Sequence, residues 1–101
     1  MSSSMIEIQV ADAVEVYATD DRLVVELEDG RTISLPLSWY PRLLHGRPKE
    51  RNNYQLIGGG SGIHWPDLDE DLSVEDLLAG HRSRESQASL QRWLEERNRK
   101  N

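Results

Sequence analysis

The feature that most constrains this chain is the run Gly58-Gly59-Gly60-Ser61-Gly62-Ile63-His64-Trp65-Pro66-Asp67-Leu68-Asp69-Glu70-Asp71-Leu72-Ser73. Four glycines in five positions call for a tight, solvent-facing turn, because a residue without Cβ enters positive φ at little cost. Ile63-His64-Trp65 reads as a short strand. Pro66 cannot donate to a ladder, so the strand stops there. The acidic stretch that follows leads into a helix at Ser73. Ser73-Val74-Glu75-Asp76 has the spacing of a capping box, and Asp69, Glu70 and Asp71 place negative charge before the helix N-terminus. Gly80 limits that helix to a little over one turn.

Upstream, Ile6, Ile8, Val10, Val14 and Val16 are apolar at even positions, and Leu23, Val25 and Leu27 alternate with Glu26 and Glu28. A period of two marks strands with one buried face. Asp29-Gly30 signals a two-residue hairpin turn, and the chain returns with Ile33 and Leu35 inward. Residues 6–35 therefore read as an antiparallel meander. Ser38 is placed to cap a short helix over 39–44, with Pro41 in its first turn and Gly46 at its stop. Pro48 starts another helical turn. Tyr54 to Ile57 pairs across the glycine turn with Ile63-His64-Trp65 as a second hairpin. In the tail, Leu90, Trp93 and Leu94 give a narrow apolar stripe, and Arg97, Arg99 and Lys100 complement a helix C-terminus. A helix of that length is marginal alone and must dock, in cis by preference. The expected architecture is α+β: a small antiparallel sheet built from the N-terminal meander and a second hairpin, two short helices and a C-terminal helix. Its divisions are a leader over 1–5, a domain over 6–80 and an amphipathic helix over 81–101.

Charge divides the chain. Residues 1–80 hold 6 Lys/Arg against 15 Asp/Glu, and residues 81–101 hold 6 against 3, which together give the net −6. An acidic body is a poor match for phosphate backbones, which dominate nucleic-acid affinity. The basic tail is the one part that could meet DNA. The chain has no cysteine, so disulfides, thiolate metal sites and cysteine nucleophiles are excluded together. No apolar run approaches the length of a membrane span, and the expected location is cytoplasmic.

Asp67, Asp69, Asp71, Ser73 and Glu75 imitate the alternating ligands of a calcium loop, but Leu72 stands where glycine is required and Leu78 where the closing Glu belongs. His45, His64 and His81 have no metal-ligand spacing, so no metal or other cofactor is expected. His64 lies near three carboxylates, but no nucleophile can be placed beside it, and a structural, hydrogen-bonded role is the simpler reading. The glycine run lacks the lysine of a phosphate-binding loop. With no Phe in the chain, at least two of Trp39, Trp65 and Trp93 are needed for the core.

Trp39-Tyr40-Pro41-Arg42-Leu43, Glu50-Arg51-Asn52 and the run from Gly62 to Ser73 resemble a bacterial family known as domain of unknown function 2442. Asp29-Gly30-Arg31 and Leu77-Leu78-Ala79-Gly80 fit the same pattern, and the likeness covers about residues 10–80. The resemblance implies a small α+β protein of the kind often encoded beside a second small protein, in arrangements like toxin–antitoxin pairs. Some members carry a C-terminal helix-turn-helix, for which this tail has room for one helix only. The family supplies no catalytic residues.

The reading favoured is a non-enzymatic protein-interaction module, antitoxin-like, with a small basic partner encoded nearby. Its contact surface is formed or supported by Trp39, Tyr40, Arg42, His64, Trp65, Asp67, Asp69, Asp71 and Trp93. The alternatives are a DNA-associated regulator using the basic C-terminal helix and a small enzyme using His64 as acid–base.

Overall fold

The computed structural model describes residues 10–100. The expected leader and the apolar positions Ile6 and Ile8 lie outside the described residues. Among the described residues, twelve short elements form two antiparallel three-stranded sheets, four helices and two 3-10 turns. The fold is α+β, as the periodicities indicate.

The first sheet has the order β1 (Ala13–Ala18), β2 (Arg22–Leu27), β3 (Thr32–Pro36). Leu23, Val25 and Leu27 of β2 face the core and are buried, as their alternation requires. β1 departs from simple alternation. Its register on β2 shifts between Ala13 and Glu15, so Ala13 and Val16 are buried while Val14 is 55% exposed. A bulge places an extra residue in one strand and turns the side chains before it to the other face. The even-position pattern thus holds at Val16 and fails at Val14. The β2–β3 connection is longer than two residues. Leu27 N–H donates to the Arg31 carbonyl, Gly30 N–H donates to the Leu27 carbonyl, and Gly30 takes φ +95°. A turn closed by a left-handed glycine matches the right-handed twist of its strands as a two-residue turn would.

Ser38 does not cap a helix. Leu37–Trp39 forms a 3-10 turn, and α1 (Pro41–His45) begins after Tyr40 with Pro41 at its first position. Pro41 sets φ for the first turn and has no N–H to leave unpaired, which fixes the start without a side-chain cap. α2 (Pro48–Arg51) follows, its entry closed by Glu50 Oε1 accepting the Arg47 N–H at 2.8 Å.

The second sheet has the order β4 (Gln55–Ile57), β5 (Gly62–Trp65), β6 (Glu70–Ser73). The first two strands are the expected hairpin. The third is not: Glu70–Ser73 is a strand paired with β5, with Asp71 opposite His64 and Leu72 opposite Ile63. The expected acidic lead into the helix is therefore a turn followed by a strand. Asp69 makes that reversal at φ +50°, a conformation that Asp tolerates better than most side chains. Leu68, inside the turn, is fully buried and anchors it. α3 (Val74–Leu78) starts where expected, Ser73 Oγ accepting the Asp76 N–H at 3.0 Å, and it ends before Gly80 at φ +76°.

One core joins both sheets and the short helices: Val16, Leu23, Val25 and Leu27 meet Leu37, Tyr40 and Leu43 on one side and Ile63, Trp65, Leu68, Val74 and Leu77 on the other. Trp65 and Tyr40 are its largest fully buried side chains. The C-terminal helix α4 (Gln87–Lys100) docks back on this body, with Trp93 packed against the core. No helix is long and apolar enough to cross a membrane among the described residues.

Candidate functional site

The residues expected at a contact surface separate into two sets. Trp65 and Tyr40 are 0% and 1% exposed and support the surface from beneath. The Trp65 indole N–H donates to the Arg51 carbonyl at 3.0 Å, and the Tyr40 hydroxyl donates to the His81 carbonyl at 2.9 Å. Burial pushes the Tyr40 phenol up to about 12. The aspartates are exposed. Asp69 and Asp71 show 86% and 66% of their side chains to solvent, and Asp67 is also exposed. Asp67 accepts from Asn53 Nδ2 at 2.9 Å.

Six acidic residues and no Lys or Arg lie between Asp67 and Asp76. Turn, strand and helix carry them in succession, so they form an acidic border along β6 and α3. A groove of about 510 Å³ runs beside them, lined among others by Asp69, Glu70, Asp71, Asp76, Arg42 and Glu85. Glu70, legible in the sequence only as charge ahead of a helix, is the half-buried carboxyl of this groove. Loss of solvation pushes it up to about 7, against the opposing pull of the Asp71 N–H and Arg42.

Arg42 holds the groove together. Its Nε and Nη2 clasp Glu85 at 2.9 and 2.5 Å, and its Nη1 donates to the carbonyls of Leu68 and Asp69 at 3.3 and 3.0 Å. The planar five-donor fork of Arg can serve a carboxylate and two carbonyls at once, and the point charge of Lys cannot. Its guanidinium also lies 5.0 Å from the Trp93 ring centroid, and that of Arg97 lies 4.6 Å from it. Arg97 in turn binds Glu50 at 2.8 Å. Glu85, Ser89, Trp93 and Arg97 recur every four residues, so one stripe along the tail carries Glu85, Trp93 and Arg97 to the body, with Ser89 Oγ donating to Glu85 at 2.7 Å. Glu85 and Glu50 are both held below the ordinary Glu range, chiefly by hydrogen bonds from Arg42 and Arg97 respectively. Arg97 of the basic tail is therefore engaged with the body of its own chain, and Arg99 lies 3.8 Å from Glu96. Trp39 is half-buried, with the Arg82 guanidinium 4.5 Å from its ring centroid.

His64 and Asp71 face each other across β5 and β6, Nδ1 to Oδ1 2.6 Å. Such a pair orients an imidazole, as in catalytic triads. The chemistry would still need a nucleophile, and no Ser, Thr or Lys side chain is hydrogen-bonded to the ring among the described residues. Nor do three or more His, Asp and Glu side chains converge on a metal-sized point among those residues. The site offers a charged surface with a rigid, arginine-pinned support.

A family model described as "Protein of unknown function (DUF2442)" matches residues 13–83. That match ends four residues before α4 begins. Among solved structures, a protein of unknown function from Rhodospirillum rubrum is similar at 28% identity and a TM-score of 0.65, over 79% of this chain and 96% of its own. An uncharacterised protein from Chromobacterium violaceum shares the fold at 20% identity and a TM-score of 0.61, over 71% of this chain and 68% of its own. No curated protein matches the chain.

Proposed function

The chain belongs to the DUF2442 family, and we propose that it is a non-enzymatic protein-interaction module that receives a small basic protein on the acidic border of β6 and α3. The observation that carries the reading is the density of exposed carboxylates between Asp67 and Asp76, where the basic partners are Arg42 at 3.7 Å from Asp69, His64 at 2.6 Å from Asp71 and His81 at 3.2 Å from Asp76. The nearest arginine, Arg42, is clasped by Glu85 and lies 3.7 Å from Asp69, which leaves most of the six carboxylates facing solvent. Charge of one sign concentrated on a rigid face steers an oppositely charged partner and raises its on-rate more than its final affinity. An antitoxin-like role follows if the partner is a nucleic-acid-directed protein, whose basic surface such a face would cover.

The test is capture of partners from the native host, with full-length bait compared with a triple Asp67→Asn, Asp69→Asn, Asp71→Asn bait. Asn keeps the shape of each side chain and tolerates the positive φ at position 69. We expect a small basic protein held by the parent bait, released by salt, and weakened about tenfold or more by the triple variant, or about 1.4 kcal/mol. Equal retention by both baits would refute the proposal.

A further inference from the structure

Three of the four outer sheet edges in the described structure are visibly blunted. At β1 the Tyr54 hydroxyl accepts the Val16 N–H at 3.2 Å. At β3 the Arg22 guanidinium takes the Ser34 carbonyl at 2.9 Å, and the strand closes on Pro36. β6 carries Glu70 and Asp71. Charges, prolines and covering side chains are the usual means of keeping an edge from pairing with another chain. β4 has none of them. Gln55, Leu56 and Ile57 are all exposed, Leu56 at 38% and Ile57 at 45%, and no side chain among the described residues is hydrogen-bonded to their backbone.

The register shows what is missing there. Leu72 lies opposite Ile63 and Ile63 opposite Leu56, so one apolar row crosses the second sheet and stops at the β4 edge. The twelve residues Asn52 to Ile63 around that edge carry no charge, in a chain whose net charge is −6.

We propose that β4 is a dimerisation edge: two copies of the chain pair antiparallel through β4 about a two-fold axis at Leu56, joining two three-stranded sheets into one of six strands. The axis sets Leu56 against its own copy and Gln55 against Ile57. The apolar row then runs without a break from Leu72 of one copy to Leu72 of the other. A two-fold contact must be self-complementary. An uncharged strand with its central leucine on the axis meets that condition, whereas a foreign strand would have to match it independently. The acidic β6 edges fall five strand spacings apart, roughly 24 Å, beyond the Debye length of about 10 Å at 0.1 M salt. Repulsion between the acidic borders is thus screened, and both borders stay free. A three-residue edge buries little area, so the dimer is concentration-dependent.

Sedimentation equilibrium of the full chain from micromolar to millimolar concentration tests this. The mass should climb from 11.6 kDa toward twice that value, and Leu56→Lys should hold it at 11.6 kDa with the parent's far-ultraviolet circular dichroism spectrum. Because the chain has no cysteine, Leu56→Cys provides a second readout. It should oxidise to a disulfide dimer at least tenfold faster than Val14→Cys, a more exposed site on β1. A monomeric mass throughout, dimerisation of Leu56→Lys, or equal cross-linking at the two positions would overturn the proposal. So would a dimer that forms only after residues 1–9 are removed, since the chain's own segment would then be the occupant of the edge.

Discussion

Alanine at Gly60 should destabilise the protein far more than alanine at its neighbour Gly59, although both belong to the same glycine run. Gly59 takes φ +71°, and a Cβ built there meets nothing within 4 Å. Gly60 takes φ +112°, and a Cβ there lies 2.7 Å from the Ala13 carbonyl oxygen, 2.8 Å from the Asp12 Cβ and 3.2 Å from the Ala13 nitrogen. The left-handed conformation costs an L-residue about 1–2 kcal/mol. At Gly59 part of that cost is offset by about 0.4–1 kcal/mol from the stiffer unfolded chain, leaving a net loss of about 1 kcal/mol. At Gly60 the neighbours are mainly backbone, which cannot rotate away, and overpacking of this kind adds about 1–3 kcal/mol. With the same unfolded-chain offset, these give about 1–5 kcal/mol for Gly60→Ala. In a domain of this size each kcal/mol moves the melting temperature by about 4–8 °C, so the variant should melt at least about 4 °C below the parent. Gly58→Ala is a useful intermediate, because its Cβ meets the rotatable Ser61 Oγ. Thermal and urea unfolding followed by far-ultraviolet circular dichroism would measure all three. If Gly60→Ala and Gly59→Ala unfold within about 1 kcal/mol of each other, close approach of the turn to β1 is not what requires glycine at position 60.

Arg42→Ala removes the clasp on Glu85 and two carbonyl partners at once. With both side chains mostly buried, we expect a loss of about 2–4 kcal/mol in urea unfolding, with faster amide exchange in α4; Arg42→Lys should recover only part of it. Stability should also depend on Glu70. Its carboxyl, pushed up to about 7 from an ordinary 4.5, binds a proton more tightly folded than unfolded. Its contribution is therefore present in full below about pH 4.5, declines as pH rises toward 7 and is flat above that. Glu70→Gln should abolish this decline in melting temperature while keeping the fold. The carboxylates of Glu85 and Glu50, held low by arginines, act in the opposite direction, and their contribution is lost as pH falls below the ordinary Glu range.

Much of what could be read locally was read correctly, because its causes lie within a few residues; the Ser38 cap and the two-residue turn at Asp29-Gly30 are the local readings that failed. The alternation of Leu23, Val25 and Leu27, the stop at Pro66, the cap at Ser73 and the end at Gly80 each follow from backbone geometry or side-chain reach over one turn or strand. The exposure of Asp67, Asp69 and Asp71 was equally legible in their density. Tertiary pairing decided the rest. Glu70–Ser73 is too short to show a period, and it is a strand only because β5 lies beside it. The bulge that buries Ala13 in place of Val14 comes from the register with β2, which no local pattern contains. Arg42 and Glu85 stand 43 residues apart, and Glu50 and Arg97 stand 47 apart. By itself the sequence determined which segments bend, alternate and carry charge, since those are short-range steric and solvation preferences. Only the folded chain decided which strand edges close and where the tail docks, because those depend on which distant groups can satisfy one another's hydrogen bonds and apolar surface.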